Sequence, residues 1–189
     1  MGGKLQMLKT VILLMCCDSI WGGLAPSKHT WTYNIRSTRM STSNESVAGG
    51  ETHLNREGRG EYSMSGNLYF NVDVPEEFEV MASIYRSNDG GATYKLEPYS
   101  VPRTGVYTAI NTFYKDIVMS SAAKCSNFPQ FEGKLEHVAA QKFTYDRCIL
   151  SNDGFPTYVS DGIYKFEVKT FGMVELFFEA IVVVEQKTF

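Results

Sequence analysis

Residues able to do covalent or metal chemistry are few in this chain of 189 residues, and they are scattered. Its three histidines, His29, His53 and His137, each stand among polar neighbours and read as solvated loop residues. Glu76 and Glu77 are adjacent, so on a strand they would point to opposite faces and could not act as a carboxylate pair. Asp153 and Asp161 lie in turn-like sequence, where aspartate caps and closes turns. No GxSxG elbow, HExxH pair, phosphate-binding glycine loop or paired CxxC occurs. The expectation is a protein without catalysis, bound metal or cofactor.

The remaining reactive residues concern compartment rather than catalysis. Lys4 and Lys9 precede an unbroken apolar run from Val11 to Cys17 that Asp18 ends, the layout of a secretory leader too short to anchor in a bilayer. It is read as residues 1–22, with cleavage between 19 and 25, and 23–189 form a single domain. The rival reading is a cytosolic chain with a buried N-terminal helix. Removing the leader also removes Cys16 and Cys17, which leaves Cys125 and Cys148 to pair in an oxidising compartment. "NES" at Asn44 is a glycosylation sequon within a polar stretch without apolar periodicity, read as an exposed loop or ragged hairpin tip. Without Lys4, Lys9 and Asp18, the 18 basic and 21 acidic residues become 16 and 20. That mild acidity, with no basic stripe, argues against a nucleic-acid partner.

The elements that must position these residues are mostly strands. Period-2 alternation marks Thr30 to Thr38 and then Tyr62, Met64, Leu68, Phe70, Val72 and Val74, with Gly66 suggesting a bulge or a bend. Phe78, Val80, Ala82 and Ile84 continue it, and "NDGG" at Asn88 to Gly91 is a turn into a returning strand, "ATYKLEPYSV". Further strands are expected at "AQKFTYDRCIL", at "DGIYKFEVKT" and at the C-terminus, with Gly172 at the last reversal. Between Thr104 and Ser121 the period changes. Val106, Tyr107, Ile110, Phe113, Tyr114, Ile117 and Val118 gather within about 140° of a helix, with Thr104 as N-cap. The whole predicts a mainly β fold, an antiparallel β-sandwich or β-cup of seven or eight strands with one amphipathic helix.

The final strand is apolar on both faces. Val174 to Val184 supply an unbroken even face, while Phe177, Ile181 and Val183 interrupt a solvent face of Glu175, Glu179 and Glu185. No apolar run is long enough to span a membrane. The helix is the spare apolar element, so it is expected to cover Phe177, Ile181 and Val183 or to line a hollow with them. Tyr107, Ile110, Phe113, Ile117, Phe177 and Ile181 are the candidate lining for an apolar ligand. Aromatics make up 13% of the chain, enough to furnish either a filled core or a hollow one.

"GRGEYSMSGNLYFNVDV", "FYKDIVMSSAAKCSNFPQFEGKL" and "YDRCILSNDGFPTYVSDGIYKFEV" together resemble the insect CheA chemosensory proteins. Those are secreted relatives of the ganglioside-activator branch of the ML lipid-recognition proteins. The resemblance runs over residues 31–185 and rests on the order of features more than on any one motif. It implies a β-cup with a hydrophobic cavity, no enzymatic activity, and an extracellular role in taste or pheromone sensing with a small hydrophobic ligand. Two alternatives follow from the same chain: a modulator of a sensory receptor or ion channel that carries nothing, or an accessory protein that presents lipid to a hydrolase.

Overall fold

The computed structural model describes residues 29–187, so the leader lies outside the described residues. Nine strands and one helix follow in order: β1 (Trp31–Thr42), β2 (Ala48–Arg56), β3 (Tyr62–Phe70), β4 (Glu79–Ser87), β5 (Lys95–Leu96), β6 (Val101–Gly105), the helix α1, β7 (Gln141–Cys148), β8 (Gly162–Phe171) and β9 (Leu176–Gln186). All pairings are antiparallel. A six-stranded sheet runs β1-β9-β8-β4-β5, with β6 also on β4, and a three-stranded sheet runs β2-β3-β7. The sandwich expectation holds.

Two differences raise the strand number above the expected seven or eight. The stretch around Asn44 is mostly strand, with the exposed turn expected there only at its tip: β1 continues to Thr42 in the large sheet, β2 starts at Ala48 in the small one, and Asn44 lies in the exposed turn between them. Polar residues can build these strands because β1 is an edge strand with a single inward face: Trp31, Tyr33 and Ile35, then, past the register shift at Ile35/Ser37, Thr38, Met40 and Thr42. The returning strand after "NDGG" is broken in two, with Pro98, which has no N–H to donate to β4, in the gap between β5 and β6. Gly90, Gly91 and Gly172 take φ of 76°, 99° and 103°, the left-handed conformations their turns require. The bulge expected at Gly66 is present as a register shift between Met64 and Gly66, with the extra residue on β7.

α1 runs from Val106 to Ala122 as Val106–Ala109, Ile110–Val118 and Met119–Ala122. Its middle is wider than an α-helix: the Met119 N–H bonds the Tyr114 carbonyl, five residues back. Thr104 is not its cap. That residue pairs with Val80 in β6, and Gly105 occupies the N-cap without a side-chain bond.

Two apolar clusters close the sandwich at its ends. One gathers Ala48, Phe70, Phe78, Phe143, Val174 and Leu176, with Tyr107 and Ile110 of α1 packed on it. The other gathers Trp31, Ile35, Tyr164, Val182 and Val184, under Phe155 and Val159 of the β7–β8 loop. No helix among the described residues is long and apolar enough to cross a membrane.

Candidate functional site

The register of the large sheet places one cross-strand row between the two clusters. Met40 on β1 pairs with Phe178, Phe178 with Val168, and Val168 with Ala82. All four share the inward face with Leu176 and Val182, yet none is fully buried and none belongs to either cluster. Across the sandwich Met64 and Leu68 of β3 are likewise half-buried, flanking Gly66. The row between the clusters is therefore less shielded from solvent than the ends of the interior. Thr38 and Thr52 bridge the two sheets there through their hydroxyls at 3.3 Å.

Polar groups around this row already have partners. Every buried side-chain nitrogen and oxygen among the described residues is hydrogen-bonded. Burial pushes the Tyr33 hydroxyl up to about 12 despite its 2.6 Å bond to the Leu150 carbonyl. Burial raises Tyr114 to about 12 as well; its hydroxyl donates to the Pro129 carbonyl at 2.8 Å. Both stay neutral near pH 7. A molecule entering here would meet methylene, methyl and ring surface, and removing that surface from water is worth about 25 cal/mol per Å².

The helix bounds this interior on one side. At its start Tyr107 donates to the Val74 carbonyl at 2.7 Å and accepts the Val138 N–H at 3.1 Å. Along its length Asn111 bonds both backbone groups of Leu135, at 2.7 and 2.8 Å, and Lys115 bonds the Gly133 carbonyl at 2.6 Å. Beyond its end Cys125 is bonded to Cys148 on β7, with Cα atoms 5.3 Å apart. The pairing read from the sequence is present. Of the helical candidates, Tyr107 and Ile110 touch the first cluster, and Phe113 is 39% exposed. Ile117 is half-buried against Gly154, where a Cβ would stand 2.8 Å from its Cα.

Phe177 and Ile181 lie elsewhere. They point to the outer face of the large sheet, away from α1, so the helix covers neither them nor Val183. Long cations cover that face instead. Arg39 and Lys169 sit 5.0 and 5.4 Å from the Phe177 ring centre, and Lys165 lies between Tyr85 and Tyr94 at 4.7 and 5.1 Å. Ile181 is flanked by Ser37 and Lys165, Val183 by Asn34 and Ile163. Their stems supply apolar cover while their charges stay wet. Sequence reasoning missed the row itself. Phe178 was visible as an inward position, but its pairing with Met40 and Val168 needs the register.

The other candidates are structural or exposed. Asn44 is exposed at the β1–β2 corner. Glu76 and Glu77 are exposed in a turn, and Asp153 accepts from its own turn partner Ser151. His29 differs from expectation: its ring packs edge-on to Trp31 at 5.9 Å and bonds the Phe155 carbonyl at 2.9 Å. His53 is exposed on β2, and His137 is exposed as well, 3.6 Å from Asp73. Among the described residues no group of three or more His, Cys, Asp or Glu could hold a metal ion.

No curated protein sequence matches the chain. A family profile described as "Protein of unknown function (DUF1091)" matches residues 80–166, the segment from β4 through α1 and both cysteines into β8. Over that segment the chain is similar to a family whose description assigns no activity, and the likeness is compatible with an ML-like domain.

Proposed function

We propose that this chain is a secreted binding protein for a small hydrophobic or lipid-like ligand, without enzymatic activity, acting in taste or pheromone perception as its CheA-type resemblance suggests. The observation that carries the binding reading is the half-buried row Met40–Phe178–Val168–Ala82 between two closed clusters. A filled sandwich would bury its central rung best; here the centre is the looser part. An apolar guest there would gain the burial that the two sheets do not supply to each other. In this reading Tyr107, Ile110, Phe113 and Ile117 form the wall nearest the helix, and Phe178 and Val168 replace Phe177 and Ile181 as the floor.

The test is native mass spectrometry of the secreted protein, then organic extraction and identification of what is released. Stoichiometric hydrocarbon or lipid supports the carrier. An empty protein that also takes up no apolar fluorescent probe would sink it.

One observation favours the reading as a receptor or channel modulator. Leu96, Tyr99 and Tyr158 are 63, 63 and 64% exposed. Tyr99 and Tyr158 lie near Tyr164, whose hydroxyl is raised first by burial, against Arg86, and then by Glu97, Tyr158 and Tyr99. Exposed tyrosines beside an arginine are a common composition for a protein contact. Retained receptor response with a Phe178→Lys variant that takes up no probe would favour this second reading.

A further inference from the structure

The geometry points to a seat for an N-linked glycan carried by Asn44, in the polar groove beside the β1–β2 corner. The inference rests on the secretory reading, because only there would a glycan be attached, but it does not depend on the ligand.

The groove holds about 510 Å³ and is lined by Thr42, Glu45, Glu51, Asn67, Tyr69 and Lys142, over a floor of Met40 and Gly50. Asn44 stands between two of these residues, Thr42 and Glu45. Its corner is held firmly. The Thr42 hydroxyl donates to the Ala48 carbonyl at 2.7 Å, and Asn71 bonds the Glu45 and Ser46 carbonyls at 3.3 and 3.1 Å. The Asn44 Oδ1 accepts the Ser46 N–H at 3.0 Å, while its Nδ2 makes no hydrogen bond among the described residues. That nitrogen is the atom modification needs. It attacks the anomeric carbon of a lipid-linked oligosaccharide pyrophosphate; the C–N bond forms, Nδ2 loses one proton, and the donor leaves as lipid pyrophosphate.

The groove's chemistry suits sugar and not the apolar guest of the interior. A pyranose presents hydroxyls around its rim and C–H bonds on its faces. Glu51, Thr42 and Lys142 offer a carboxylate, a hydroxyl and an ammonium to the hydroxyls, and the Tyr69 ring offers an apolar flank. Gly50, which lines the groove, leaves no room for a side chain: a Cβ there would collide with the Asn67 carbonyl oxygen and stand 2.7 Å from the Met40 sulfur, while the Tyr69 hydroxyl lies 2.6 Å from where a Gly49 Cβ would be. A sugar tethered at the next residue needs little intrinsic affinity, since a short tether supplies millimolar effective concentration.

The experiment expresses the full chain with its leader in insect cells, maps Asn44 by peptide mass spectrometry, and times glycan release by an N-glycanase from native and from unfolded protein. A seated glycan is released from native protein roughly tenfold more slowly, the factor that 1.4 kcal/mol represents. Lys142→Ala and Tyr69→Ala each bring native release toward the unfolded rate. Tyr69 also covers Gly49, so a thermal melt must show that variant folded, and exposed Lys142 serves if it is not. Equal release from native and unfolded protein overturns the seat though the sugar is there. An unmodified Asn44 in secreted protein overturns the inference while leaving secretion standing; protein retained in the cell overturns both.

Discussion

β9 and β3 are interior strands of the two sheets, and they bury opposite chemistry. On β9 the buried residues are Leu176, Ala180, Val182 and Val184, all facing the small sheet. On β3 the buried residues are Ser63, Ser65 and Asn67 together with Phe70, while Met64 and Leu68 are half-exposed. Those polar residues lie under a network on the sheet's outer face. The Ser65 hydroxyl donates to Asp146 at 2.8 Å, receives the Arg147 N–H at 2.8 Å and is reached by Asn55 at 2.5 Å. Asn67 bonds Glu51 at 2.6 Å, and Ser63 bonds Glu57, which pairs with Arg147 at 2.8 Å. The large sheet is held by apolar burial on its inward face. The small sheet is held from outside and at its ends, so its middle need not press on its partner. That difference is why the interior can be loose where a ligand would sit.

The comparison breaks most visibly at two phenylalanines. Phe78, 1% exposed in the first cluster, should cost about 4 kcal/mol on truncation to alanine, as buried Phe→Ala changes do. Phe178→Ala, in the loose row, should cost less than half of that and alter uptake of an apolar probe. Urea melts of both decide it; equal costs would mean a filled centre.

Ser65→Ala leaves Asn55 and the Arg147 N–H short of a partner on the half-hidden face and should cost about 1–3 kcal/mol. Met64→Ala, one residue away on the inward face, should cost about 1 kcal/mol because the side chain is only half-buried. If the methionine proves the costlier of the two, the small sheet is glued from within after all.

The outer face of the large sheet makes a pH-dependent prediction. Burial opposes the charge of Glu167, but hydrogen bonds from Lys165 and Lys169, at 2.7 and 3.1 Å, outweigh it and hold the carboxyl below its ordinary 4.5. A depressed value means the ionised group stabilises the fold above 4.5 and that this stability is lost as pH falls through the folded value. Glu167→Gln should therefore flatten the acid side of the stability profile. At the alkaline end Lys165 is raised above 10.5, first by its bond to Glu167, so its contribution is present below that value and lost as pH climbs through the higher one. An unchanged acid limb in the variant would show the triad contributes nothing.

The smallest effect belongs to Arg39, which pairs with Glu179 at 3.0 Å and lies over Phe177 while remaining two-thirds exposed. Arg39→Ala should cost about 0.5 kcal/mol, mostly from uncovering the ring, with weak salt dependence. A cost of several kcal/mol would show that the odd face of β9 matters as much as the even one.

Legibility tracked locality. β4 and β8 were readable because their side chains alternate between an apolar and a polar face, β9 because its even positions are unbroken apolar, and the helix because its period changes. The Gly66 bulge and the Cys125–Cys148 pair were readable from residue type. β2 was not, and β1 only as far as Thr38, because the remaining contacts come from β3 and β9 rather than from their own apolar content. The widened centre of α1 was hidden too. Its apolar stripe fits an ordinary helix, and the bonds from Asn111, Tyr114 and Lys115 to residues 129–135 accompany the wider coil.

By itself the sequence determined the fold class, the strand faces and the cross-link, since each follows from the period of apolar residues or from the chemistry of a pair. It could also say that β9 needed cover on its odd side. What covers that side was a tertiary decision: lysine and arginine stems from neighbouring strands, not the helix, because the helix packs on the inward face through Tyr107 and Ile110. The candidate site was decided the same way. Met40, Phe178, Val168 and Ala82 are far apart in the chain, and only antiparallel register sets them in one row with a partner sheet that stops short of filling it.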